Sequence, residues 1–135
     1  MGTVPLVSDA AASPEAAAVF ADIRATRGTD YVNNFWRALA NDPPLLEATW
    51  RRLKTVMGER RADGLDPLTK ELLYIAVSIA NGCDYCVHSH TAAARARGMT
   101  EGQYGDLLAV VAMASQTNAL ATALAVEADD AFRAE

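Results

Sequence analysis

The chain has 135 residues, enough for one domain with a buried core. Its hydrophobic share of 51 % excludes a disordered chain. The net charge of −5 and a pI near 5.0 leave no basic footprint for nucleic acid. The first ten residues, MGTVPLVSDA, have neither a positive start nor an apolar run, so no secretory signal is expected. Leu6 stands where N-myristoylation wants Ser or Thr. Residues 107–126 carry no charge and have the length of a membrane span, but Ser115, Gln116, Thr117 and Asn118 make their centre polar. They read as buried helix packed on another subunit, with no membrane partner. The compartment predicted is the cytoplasm.

Helix signals run through the sequence, and no alternating β-branched stretch appears. Ser13 and Pro14 open a helix predicted over 14–26, which Gly28 ends. A second is predicted over 31–40, with Phe35, Trp36 and Leu39 on its apolar face. Phe35, Trp36 and Trp50 are expected in the core. Asp42 and Pro43 open a third helix, to about residue 57. Asp66 and Pro67 open a fourth, to about residue 80, closed by Asn81 and Gly82. Its stretch 72–80 has no charge on any side, which predicts burial all round. Glu71 projects beside Leu68, Ile75 and Ser78, at the margin of the core-facing stripe. A fifth helix is predicted over 84–97, with Gly98 at its end and a run of small residues, Thr91 to Ala94, that lets a neighbour approach closely. Thr100 and Glu101 open a sixth, to about residue 115, and a seventh follows over about 117–132. Residues 1–12 and 58–65 read as surface loops. The fold class expected is all-α, a compact bundle of six to seven helices.

Chemistry concentrates in residues 81–90, NGCDYCVHSH, which hold the chain's two cysteines. Cysteines so spaced can close a disulfide, take a metal or do thiol chemistry. In the cytoplasm such a pair is more often catalytic or metal-binding than structural. With Cys83 as reference, Cys86 projects about −60° and His90 about −20° around the helix, whereas His88 projects about 140° away. His90 is therefore the thiols' partner, one turn from Cys86. The start of a helix favours a thiolate, a nearby imidazole can take its proton, and Glu71 could orient that imidazole. Zinc held by Cys83, Cys86, His88 and His90 is disfavoured, because four ligands within eight residues of one helix do not readily close a tetrahedron. Haem attachment needs a histidine where Val87 stands, and a thioredoxin fold needs βαβ flanks that are missing. No cofactor or metal is expected.

Glu71, Cys83, Cys86 and His90 at these spacings resemble the signature of the alkylhydroperoxidase AhpD core, within the carboxymuconolactone decarboxylase superfamily. The resemblance runs over residues 45–124 and includes the Asp66–Glu71 helix start and the Asn81-Gly82-Cys83 turn. Residues 1–44 would be an N-terminal helical extension, as in the peroxidase-related branch, and 45–135 the helical core. The resemblance implies that Cys86 reduces a hydroperoxide and becomes a sulfenic acid. Cys83 then resolves it as a disulfide, His90 and Glu71 move the proton, and an external dithiol restores the thiols. It also implies a homo-oligomer, trimeric or hexameric. Tyr85 occupies the place of a histidine in the reductase-type members, and tyrosine is a poor proton carrier at neutral pH. Tyr85 and His88 are candidates for an outer ring around the four site residues. The decarboxylase branch generally lacks the CxxC, which argues against lactone decarboxylation. A redox sensor or carrier with little turnover, and a small-molecule binding module on the same scaffold, are the alternative functions.

Overall fold

The computed structural model describes residues 2–133 and, among them, is helical without strands. Six helices follow in order: α1 (Pro14–Arg27), α2 (Asn34–Leu39), α3 (Pro43–Met57), α4 (Pro67–Ala80), α5 (Asp84–Ala96) and α6 (Glu101–Ala123). A 3-10 turn, Asp130–Phe132, follows them in the chain. The chain divides into two compact units, residues 1–62 and 63–135.

In the first unit, α1 and α2 both pack on α3. Ser13 and Asp42 cap α1 and α3, each accepting a backbone N–H three residues on, with proline just inside. Phe20, Ile23, Trp36, Leu46 and Trp50 form the core, and the two indoles meet edge to face with centroids 5.3 Å apart. Trp50 donates its indole N–H to Asp22 at 2.6 Å, and Lys54 meets the same oxygen. These two partners, the lysine first, hold the Asp22 carboxyl below the usual carboxylate range. The N-terminal segment is tied down by Asp9, which accepts from Arg24 and Arg37, while Arg37 also donates to the carbonyl of Val7.

The second unit is built on α4, which packs on α5 and on α6. Asp66 caps α4, accepting from both the hydroxyl and the backbone N–H of Thr69. Those bonds hold its carboxyl below the usual range, the hydroxyl contributing most. Ile75, Ala94 and Met99 are buried, flanked by Leu68, Leu72, Ile79, Tyr104 and Leu107. Buried Thr91 and Ala94 give α5 the small face expected of it.

Four sequence expectations change. Helix α2 begins at Asn34 rather than at residue 31, because Asn33 has extended backbone and serves as its N-cap, and Tyr31 lies exposed. Phe35 is exposed, while Trp36 and Trp50 are core. The predicted sixth and seventh helices are one continuous helix as far as Ala123, and residues 124–129 are not helical. The polar centre does not break α6, because the Ser115 and Thr117 hydroxyls donate to the carbonyls of Val111 and Met113 on the preceding turn. The helix ends where Ala125 takes a left-handed conformation, φ 48°, with Val126 N–H reaching back to Ala121.

The fourth correction concerns burial. Leu73 and Val77 of α4 are more than half exposed, and α6 buries no side chain completely. An uncharged helix needs an apolar neighbour on every side to be buried all round. Among the described residues of its unit, the helices that α4 packs on are α5 and α6. No described helix is long and apolar enough to cross a membrane.

Candidate active site

The turn between α4 and α5 places the thiols. Helix α4 closes with Asn81 and Gly82. Gly82 is left-handed at φ +68°, its N–H bonds to the Ile79 carbonyl, and the Cys83 N–H bonds to Ser78 at 2.9 Å. This paired closure fixes the Cys83 backbone against the end of α4. Cys83 is at once the N-cap of α5, its sulfur accepting from the Cys86 N–H at 3.3 Å. Cys83 and Cys86 are joined as a disulfide, with Cα atoms 5.3 Å apart. Both are half-buried, so the pair is accessible without being fully exposed.

One turn further, His90 faces α4. Its Nδ1 lies 2.7 Å from Oε2 of Glu71, whose carboxylate accepts when Nδ1 carries the proton. That assignment leaves Nε2 free of a proton and able to take one. Glu71 is only 4 % exposed. A carboxylate so placed needs strong partners to stay charged. Its other oxygen, Oε1, lies 3.6 Å from Nε of Arg97, just beyond the end of α5. The Tyr74 ring lies over the His90 imidazole with centroids 3.6 Å apart and planes 19° from parallel.

The carboxymuconolactone decarboxylase family matches residues 44–129. The chain belongs to that family. Within it, the AhpD-type proteins stand near. The alkyl hydroperoxide reductase AhpD of Solibacter usitatus is 44 % identical over 66 residues, 49 % of this chain and 36 % of the relative. The corresponding protein of Maricaulis maris is 42 % identical over 64 residues, 47 % of this chain and 35 % of the relative. The chain thus spans about a third of the length of these curated relatives. The crystal structure of the alkylhydroperoxidase AhpD core from Rhodospirillum rubrum superposes with a TM-score of 0.94 at 57 % identity, covering all of this chain and 99 % of that one. The fold is AhpD-like.

In this family member, the sequence-derived pair Glu71 and His90 meets directly, and the two cysteines are bonded. His88 is exposed on another side of α5, as its projection required. Tyr85, between the cysteines, is exposed as well. Among the described residues no group of three or more His, Cys, Asp or Glu is disposed to hold a metal ion. Two contacts with the site were missed in the sequence, Tyr74 and Arg97. Tyr74 carries a signal in hindsight: it follows Glu71 by three residues and therefore shares its face of α4. Arg97 carries none, because its approach to Glu71 depends on how α4 and α5 pack.

Proposed function

We propose that this chain is a thiol peroxidase that reduces hydroperoxides with the Cys83–Cys86 pair, in the reducing setting of the cytoplasm. In the reduced protein the Cys86 thiol gives its proton to Nε2 of His90. The thiolate then attacks the terminal oxygen of a hydroperoxide. An S–O bond forms, the O–O bond breaks, and the alcohol leaves with a proton, giving a Cys86 sulfenic acid. The Cys83 thiolate attacks that sulfur, forming the S–S bond and releasing water. An external dithiol returns both thiols by exchange and is itself oxidised to a disulfide. Glu71 stabilises the imidazolium formed at His90. The observation that carries this reading is a disulfide in the first turn of α5, one turn before an imidazole whose Nδ1 is occupied by a buried carboxylate. The names of the AhpD relatives, and their similarity to this chain, support it.

A sensor or carrier of disulfides with little peroxide turnover is the second reading. It is favoured by Tyr85, a poor proton carrier, between the thiols. The test is peroxide-dependent consumption of dithiothreitol with cumene hydroperoxide. Sustained turnover by the wild type, its loss in Cys86→Ser, and a trappable sulfenic acid in Cys83→Ser are the results expected. Disulfide formation without turnover would replace the peroxidase reading with the second.

We also propose that the protein assembles as a homo-oligomer. Residues 107–126 are uncharged, and most of their side chains stay exposed.

A further inference from the structure

We infer that Tyr74 is a positioning residue for proton transfer, setting the plane of the His90 imidazole. The inference rests on the peroxidase reading for its kinetic consequence only. A single hydrogen bond from Nδ1 to Glu71 holds one atom and leaves the ring free to swing about that bond. A stacked ring supplies the missing constraint, because it fixes a plane. Tyr74 does this with centroids 3.6 Å apart and an interplanar angle of 19°. With Nδ1 held at 2.7 Å from Glu71 and the ring plane held by Tyr74, the direction of Nε2 is set.

Both constraints come from one face of α4. Glu71 and Tyr74 are three residues apart, hence neighbours on the helix surface. The same rigid helix therefore grips the imidazole edge and face together. Neutral aromatic rings prefer offset or edge-on contacts at longer range, whereas a cation is attracted to the face of a phenol ring. The close, nearly parallel arrangement therefore suits the imidazolium that exists after His90 has taken the thiol proton.

The test combines nuclear magnetic resonance with kinetics on the full chain. In the wild type, cross-relaxation between the Tyr74 and His90 ring protons is expected, together with a downfield Nδ1–H resonance. Tyr74→Phe keeps the ring and is expected to keep both turnover and resonance. Tyr74→Leu removes the face. It is expected to lower kcat about 10- to 100-fold, the effect of misplacing a reacting group by about an ångström, with KM for cumene hydroperoxide unchanged and the Nδ1–H resonance broadened away. If leucine unfolds the chain, Tyr74→Met, which keeps bulk without an aromatic face, is read in the same way. A leucine or methionine variant with wild-type kcat and an intact Nδ1–H resonance overturns the inference, as does a wild type without ring contacts. A wild type that turns over no peroxide overturns the proposed function instead, and the imidazole resonances still decide the placement of His90.

Discussion

Glu71 has two neighbours of unequal weight. His90 meets one oxygen at 2.7 Å with a side chain only 17 % exposed, whereas Arg97 stands 3.6 Å from the other oxygen and is nearly half exposed. Solvent screens the second contact, and exposed ion pairs are worth about 0–1 kcal/mol. Removing the first leaves a buried acceptor without its near partner, which costs about 1–3 kcal/mol. His90→Ala is therefore expected to lower unfolding stability by that amount, and Arg97→Ala by less than about 1 kcal/mol. Urea titration of the oxidised protein measures both, and an arginine variant that loses more than the histidine variant would reverse the assignment. The Glu71–His90 meeting was legible from helical projection combined with the resemblance, because each residue's face follows from its number. Tyr74 was not, since nothing in a tyrosine on an apolar helix says which ring it will cover.

The α4–α5 connection is where local sequence chemistry translates most directly into site geometry. Asp66 and Pro67 start α4, Gly82 stops it, and Cys83 both donates its N–H to the last turn of one helix and caps the next. A side chain at residue 82 would meet nothing within 4 Å, so crowding is not the constraint. The left-handed backbone is, and it costs an L-residue about 1–2 kcal/mol. Gly82→Ala is expected to lose that much stability. Either the strain is kept, leaving the Cys83–Cys86 bond intact, or the turn relaxes and carries Cys83 away from its capping position. Urea titration together with the rate of disulfide reduction by dithiothreitol separates the two, and an unchanged midpoint would contradict the strain argument. Helix starts and stops marked by proline and glycine were readable in the sequence. The length of α6 was not, because serine and threonine hydroxyls that bond back within a helix look, in sequence, like those that end one.

At the scale of the molecule, the two units differ in how completely they bury apolar side chains. Residues 1–62 enclose two tryptophans, a phenylalanine and an isoleucine, and among the described residues of the second unit the buried apolar side chains are Ile75, Ala94 and Met99. Leu68, Leu72, Ile79, Tyr104 and Leu107 pack partly against these, and much of the apolar content of α6 faces outward in an ordered way. At ~100° per residue, Val110, Met113, Thr117 and Leu120 fall within about 80° of one another, a single stripe along α6, at the end of which stands the C-cap residue Leu124. Val110, Met113, Leu120 and Leu124 are all more than half exposed. Scattered exposed leucines need no explanation, but a continuous stripe on the uncharged stretch 107–123 of α6 is what an association surface requires. A second copy of the chain presents the same stripe, and a self-complementary patch is the requirement for a symmetric contact. The sequence showed the uncharged run but could not show that it stays uncovered by α4 and α5 along most of its length. The wild type is therefore expected to form a homo-oligomer in light scattering after size exclusion, at a multiple of its 14.4 kDa chain mass. Val110→Glu combined with Leu120→Glu places two charges along the stripe and is expected to release monomers that keep the helical circular dichroism of the parent. The proposal fails if the wild type itself runs at 14.4 kDa, and the stripe is the wrong surface if the double variant remains assembled.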